Sequence, residues 1–334
     1  MEAPALSAGR SARVTPLLEV RDLTVAFEVE GKERRVVAGV SYSLPAGRTL
    51  GVVGESGCGK SMTALALMGL VPSPGKVTGS LLFEGSELLG LPESEWRKTR
   101  GARVAMVFQE PMTSLNPVMP VGKQIAEAMV LHQAIGWGPA EERAVELLEA
   151  VGIPSPRARA IAFPHQLSGG MRQRAMIAMA LACRPALLIA DEPTTALDVT
   201  IQAQILDLLG ELKSQFGTAI MLITHAMGVV AETAQRVVVM YAGRVVEEAS
   251  VEALFARPLH PYTQGLIHSI PRIDKVAGKK LRLEAIGGMV PSLIDPPPGC
   301  RFAPRCKRAM PACTDAVPEL RAVEAGHKVA CILY

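Results

Sequence analysis

Gly54-Glu55-Ser56-Gly57-Cys58-Gly59-Lys60-Ser61 is the stretch whose residue types and spacing speak most directly of chemistry. Gly54, Gly57 and Gly59 let the backbone curl, so that successive N–H groups turn inward toward a polyphosphate. A helix opening at Lys60 adds its N-terminal partial charge to that cradle. Lys60 would reach the outer phosphates and the Ser61 hydroxyl would hold Mg²⁺, with Met62 closing the binding stretch. A second set of candidates lies at Asp191 and Glu192, two acids ending the apolar run Leu187–Ala190. Asp191 would enter the Mg²⁺ shell, and Glu192 would polarise a water for attack on a terminal phosphate. A third lies at Leu167-Ser168-Gly169-Gly170-Met171-Arg172-Gln173, where two glycines open a helix and Ser168 adds a hydroxyl to another anion cradle. A single nucleotide in one subunit needs only one cradle, so two make sense if each clamps a nucleotide held by another subunit.

These residues need a scaffold, and the sequence supplies one. Leu50–Val53 reads as a buried strand before the loop and Met62–Gly69 as the helix after it. Leu18–Val29 alternates apolar and polar residues, the mark of half-exposed antiparallel strands, and Leu81–Phe83 and Val104–Phe108 read as further strands. Between about 111 and 181 the pattern turns helical. Pro139 starts one helix with Val145, Leu148 and Val151 on its inner face, and Gly152 with Pro154 ends it. Leu187–Ala190 and Ile220–Ile223 are continuous apolar strands of the parallel-sheet kind. The helix Ile201–Leu212 between them aligns Ile201, Ile205, Leu208 and Leu212. The alternation implies an α/β fold: a doubly wound parallel core, an antiparallel layer and a helical insertion.

The 334 residues allow one large domain or two modest ones, and 49% apolar with 20% charged residues fits a folded core. A net charge of +3 is too small to imply a nucleic-acid partner. Despite a mean hydropathy of +0.25, the greasy runs end early, at Arg184 and His225, too short to span a bilayer. Residues 1–16 read as a disordered tail without an apolar signal core. From about residue 259 the texture changes to Pro- and His-rich, and a small separate appendage is expected over 259–334. It carries Cys300, Cys306, Cys313 and Cys331, with gaps of five, six and seventeen residues. Four thiolates can enclose a tetrahedral Zn²⁺ or a [4Fe–4S] cluster, and the spacing leaves both open beside four reduced structural cysteines. Arg301, Arg305, Lys307 and Arg308 could offset thiolate charge or form a solvated face.

Together the three motifs resemble the ATP-binding cassette (ABC) ATPases over about residues 18–256. The resemblance implies a phosphate-loop cassette with a RecA-like parallel core, an antiparallel β subdomain and an α-helical subdomain, spanning residues 17–258. It places the family's Q-loop at Gln109, as a further Mg²⁺ and water contact, its D-loop at Ala196-Leu197-Asp198, its switch histidine at His225 and its adenine-stacking aromatic at Phe27. The similarity is closer to the ATPase subunits of the dipeptide, oligopeptide and nickel importers. It is carried by Phe108-Gln109-Glu110-Pro111-Met112-Thr113-Ser114-Leu115-Asn116-Pro117, by His260-Pro261-Tyr262-Thr263 and by the tail from Gly299-Cys300 to Cys331. One departure is Ala226, where these importers usually carry Asp.

What the resemblance implies is a subunit that hydrolyses ATP with Mg²⁺ to power import, of peptides first, of nickel or another small solute as the alternative. A non-transport ABC ATPase is the rival class, and the single cassette without a coiled-coil insertion argues against it. Two cassettes would sandwich two ATP molecules, with Ser168, Gly169 and Gly170 of one facing Lys60, Ser61, Gln109, Asp191, Glu192 and His225 of the other. The partners implied are a paralogous ATPase or a second copy, two integral membrane permease subunits, and indirectly an extracytoplasmic solute-binding protein. The expected place is the cytoplasmic face of the inner membrane, bound peripherally. For the cysteine tail the same resemblance favours [4Fe–4S] over Zn²⁺.

Overall fold

The computed structural model describes residues 15–110, 114–194, 198–270 and 286–334. Residues 1–14 of the expected N-terminal tail, Pro111–Thr113 of the importer-like motif, and Ala196 and Leu197 of the expected D-loop lie outside them. In chain order the strands are β1 (Leu18–Val29), β2 (Lys32–Leu44), β3 (Thr49–Val53), β4 (Lys76–Phe83), β5 (Ser86–Glu87), β6 (Val104–Val107), β7 (Leu187–Asp191), β8 (Ala219–Thr224), β9 (Arg236–Tyr241), β10 (Arg244–Ser250), β11 (Arg321–Glu324) and β12 (His327–Val329). They form a four-stranded sheet, β2-β1-β4-β5, and an eight-stranded one, β11-β12-β10-β9-β3-β8-β7-β6.

In the larger sheet β6, β7, β8, β3 and β9 run parallel, and β10, β12 and β11 add antiparallel strands beyond them. The parallel strands are buried along their lengths, as their unbroken apolar runs require. β1 is paired antiparallel on both sides, to β2 and β4, and its alternating exposure follows from one covered face.

The smaller sheet, the phosphate-loop helix Lys60–Leu67 and one side of the parallel sheet share a first core that includes Trp96. A second core lies between the parallel sheet and the helices Val121–Gln133, Trp137–Ala150 and Gly169–Leu181. The helix expected from Pro139 begins two residues earlier, at Trp137. Pro is tolerated there because N–H groups in the first turn have no intrahelical partner. Its buried stripe is Ala140, Ala144 and Leu148, with Val145 only half-buried, because the small alanines let neighbouring helices approach. The helix expected over 201–212 runs from Val199 to Phe216 and buries Ile205, Leu208 and Leu209, and the side chain of Leu212 lies outside what is described.

The residues after 258 are knit into the main sheet. Helix Pro261–His268 and the Phe302 ring close a third core against β9 and β10, with the rings of Tyr241, Tyr262 and Phe302 meeting at centroid distances of 4.6, 5.1 and 5.4 Å. β12 pairs with β10 directly. The fully buried Glu247 of β10 accepts hydrogen bonds from the N–H groups of Leu259 (2.8 Å) and His260 (2.9 Å) and meets His327 Nε2 of β12 at 2.7 Å.

Candidate nucleotide site

β3 delivers the chain into the loop with its whole length buried, so the loop starts from a fixed point. Gly57 and Gly59 take positive φ values of 77° and 100°, the left-handed backbone that favours glycine. A Cβ at Gly59 would also press on the Val36 carbonyl oxygen at 2.9 Å. The tip residues Ser56 and Gly57 are exposed, whereas Cys58, Gly59 and Lys60 are buried. The Lys60 ammonium donates to the carbonyls of Gly54 (2.8 Å) and Glu55 (3.1 Å), which fold it across the loop. Burial pushes the Cys58 thiol up, with Lys60, whose Nζ lies 3.8 Å from the sulfur, opposing the shift. Met62 is half-buried against the first core, and Ser61 faces outward at the first turn of the helix.

Ser61 meets Asp191. The Asp191 carboxyl hydrogen-bonds the Ser61 side chain, and burial, the larger effect, raises its pKa. Its Oδ1 is buried and has no hydrogen-bond partner among the described residues. A buried carboxylate oxygen without a partner is costly unless a cation completes it. Asp191 with the Ser61 hydroxyl is the hard oxygen donor set that Mg²⁺ takes, and these residues fit that ion.

Glu192, one residue on, has φ 46°, and its N–H donates to the Ile223 carbonyl at 2.9 Å. Gln109, exposed just past β6, donates its Nε2 to Glu192 Oε2 at 3.3 Å, and His225 Nδ1 stands 3.3 Å from Glu192 Oε1. Each oxygen of the carboxylate thus has a neighbour from a different strand end, and its side chain is 12% exposed against 61% for His225. Ala226 is the N-cap of the helix Met227–Thr233 and offers that helix no side-chain cap. Its own N–H is taken by Thr224 Oγ1 at 3.0 Å.

The structure brings Lys60, Ser61, Asp191, Glu192, Gln109 and His225 to the ends of β3, β7, β6 and β8. Ser168, Gly169 and Gly170 stand on a turn of the helical layer. Ser168 Oγ accepts from Met171 N–H at 3.3 Å as the N-cap of Gly169–Leu181, and Gly170 packs against Ile201. Ser168 and Gly169 are exposed. Asp198, the described end of the D-loop, caps the helix Val199–Phe216 through Ile201 N–H at 2.9 Å, beside an 83% exposed Val199. Phe27 is half-buried near the β1–β2 turn, packed on the first core beside Gly75.

Sequence reasoning missed what holds the loop from behind. Arg305 reads in the sequence as one of the basic residues around the cysteines, yet its side chain is 6% exposed and grips Glu55 with both Nη atoms, at 2.7 and 3.1 Å. The Tyr262 hydroxyl accepts the Glu55 N–H at 2.8 Å. The sequence carries no signal for this contact, since Glu55 and Arg305 stand 250 residues apart. The cysteines converge in part: Cys300, Cys306, Cys313 and Cys331 line one small cavity with His260 and Phe302. No group of three or more His, Cys, Asp or Glu side chains among the described residues is placed to hold a metal ion. The [4Fe–4S] and Zn²⁺ expectations therefore lack a coordination geometry. Burial pushes the Cys300 and Cys331 thiols up.

A parallel sheet whose strand ends gather a phosphate loop, a buried Asp and a bracketed Glu defines a phosphate-loop nucleotide-binding fold. The family model described as ABC transporter matches residues 37–195, and that described as the oligopeptide/dipeptide transporter C-terminal region matches residues 246–313. A protein of Sinorhizobium fredii described as a "Probable peptide ABC transporter ATP-binding protein y4tR" is 55% identical over 94% of this chain and 94% of its own length. The oligopeptide transport ATP-binding protein AppD of Bacillus subtilis is 51% identical over 96% of this chain and 98% of its own. Among solved structures, the dimeric ATP-binding cassette MJ0796 in a post-hydrolysis state with ADP and Pi superposes with a TM-score of 0.64 at 26% identity, covering 70% of this chain and 98% of that one. The chain belongs to the ABC transporter ATPases, in the branch with the oligopeptide/dipeptide C-terminal region.

Proposed function

We propose that this chain is the ATP-hydrolysing subunit of an ABC importer of oligopeptides or dipeptides, built of a cassette over about residues 17–258 and an importer-type extension over 259–334. The observation that carries the reading is the carboxylate of Glu192 bracketed by Gln109 and His225, next to the unpartnered Oδ1 of Asp191 and the loop that folds Lys60 inward. The loop N–H groups and Lys60 bind the phosphates of ATP, with Phe27 the candidate for the adenine. Ser61, Asp191 and Gln109 would hold Mg²⁺, which neutralises phosphate charge. Glu192 accepts hydrogen from a water and aims its oxygen at the terminal phosphorus. The new P–O bond forms as the bond to the β-phosphate oxygen breaks, giving ADP and phosphate. His225 and Gln109 fix the orientation of Glu192. Glu192→Gln keeps the shape but loses the basic oxygen, so MgATP binding should persist while phosphate release falls about 100-fold or more. Turnover at the parental rate would overturn the role of Glu192.

The partners of the relatives' class enter on the same footing. Ser168 and Gly169 are exposed, Gly170 is half-buried, and none is joined to the chain's own phosphate loop by any described contact, as a clamp for nucleotide on a second cassette would be. That cassette is a paralogue or another copy of this chain. Val118 (80% exposed) and Ile161 (76%) flank the junction where Val121 N–H bonds the Ala162 carbonyl. This apolar rim beyond Gln109 suits one of two membrane permeases, themselves fed by an extracytoplasmic binding protein. No described helix is long and apolar enough to cross a membrane. The place proposed with these partners is the cytoplasmic face of the membrane, bound peripherally. A [4Fe–4S] cluster on Cys300, Cys306, Cys313 and Cys331 has only the convergence of four thiols on one cavity in its support. Iron, sulfide and zinc analysis of anaerobically purified protein tests it, and zinc alone or no metal would overturn it.

A further inference from the structure

Glu55 is the second residue of the phosphate loop, and each of its polar groups has a partner. Its N–H goes to the Tyr262 hydroxyl, its carbonyl receives Lys60 Nζ, and its carboxylate lies in the fork of Arg305. Arg305 is itself saturated. Nε donates to the Gly287 carbonyl at 2.9 Å, Nη1 to Glu55 and the Tyr241 hydroxyl (3.3 Å), and Nη2 to Glu55 and the Ile286 carbonyl (3.3 Å). Five N–H donors thus have five acceptors, and the guanidinium also lies 5.8 Å from the Tyr241 ring centroid. The turn that presents it, Ala303–Arg305, is closed at each end by backbone bonds involving Cys300 and Cys306. A bidentate, nearly buried pair of this kind is rigid, and it joins residues 250 apart in sequence.

We propose that Arg305 and Tyr262 are positioning residues of the phosphate loop, through which the C-terminal extension sets how tightly the chain holds MgATP. The inference rests on the nucleotide reading above and adds to it a structural input from outside the cassette. The Glu55 anchor fixes the carbonyls that fold Lys60, and hence the curvature of the N–H cradle. An unanchored loop must be ordered by the nucleotide itself, at the expense of affinity. No reacting atom is touched, so the effect belongs in binding and in KM, with kcat preserved.

The test is the Kd for MgATP, read with a fluorescent ATP analogue on the full chain, together with KM and kcat in the assembled complex. Arg305→Lys and Glu55→Gln should each raise Kd and KM about tenfold, a loss of one charge-assisted fork, and Arg305→Lys, which lies outside the loop, should keep kcat within about twofold. The double variant Glu55→Gln/Arg305→Lys should be no weaker than the worse single, since both break one contact. The exchange Glu55→Arg/Arg305→Glu should recover part of the affinity, which a general loss of folding would not allow. Single variants that bind MgATP like the parent, or a double variant that is additive, would overturn the proposal. Lys60→Ala serves as the reference. If it loses affinity while the Arg305 variants do not, only the positioning role falls. If it retains full affinity, the nucleotide site falls and the positioning role with it.

Discussion

Glu192 holds left-handed backbone without being glycine, a conformation that costs on the order of 1 kcal/mol and persists only where the surroundings enforce it. Here the bond from its N–H to the β8 strand end enforces it, and the result is a carboxylate set between Gln109 and His225. His225 is less firmly held: 61% exposed, it precedes Ala226, where the helix Met227–Thr233 starts without a side-chain cap. An aspartate at that N-cap would accept a hydrogen bond from the first turn. Ala226→Asp should therefore stabilise the protein by about 1 kcal/mol, read as a raised denaturant midpoint at unchanged slope. No change or a loss would show that the cap geometry does not admit the side chain. The residues of this site that sequence made legible are those whose task is local. Gly57, Gly59, Lys60, Ser61, Asp191 and Glu192 act within a few positions of the strand that delivers them. The fork of Arg305 on Glu55 was illegible because both ends look like ordinary surface charges until the chain folds.

The parallel strands were legible as elements because burial on both faces leaves an unbroken apolar run. The helical layer was legible in kind but not in detail: Ala144, not Val145, faces inward, since close helix packing selects small residues that a hydrophobic pattern undervalues. The residues after 258 show the limit more sharply. Pro-rich texture suggested a body apart, yet β12 extends the main sheet and Glu247 pins the segment at Leu259 and His260. His260 is buried among these elements, with its Nδ1 accepting the Tyr262 N–H at 3.1 Å, and burial pushes its pKa down to about 4. The folded state thus excludes the charged imidazole, while the unfolded chain takes its proton near the ordinary value of about 6.5. The contribution is complete above pH of about 6.5 and is lost as pH falls toward 4, by roughly 3 kcal/mol in all. Denaturation at pH 7 and near pH 4.5 should show that decline, and His260→Gln should flatten it. An equal slope in the variant would place the titration elsewhere.

On the scale of the whole molecule, the two segments proposed to bind anions lie on separate layers. The phosphate loop lies at the strand ends of the sheet, and the turn of exposed Ser168 and Gly169 heads a helix of the second core. The two serve a single reaction if nucleotide closes a seam between cassettes, because charge-assisted bonds to the phosphates would then favour the joined state and hydrolysis would release it. The exposed Val199 beside the Asp198 cap is apolar surface of the kind such a seam would cover. The most direct measurement is the solution mass by light scattering of the Glu192→Gln chain, alone and mixed with its paralogue, with and without MgATP. A single-chain mass is expected without nucleotide and a two-cassette mass with MgATP. A single-chain mass in every mixture, with nucleotide demonstrably bound, would contradict it.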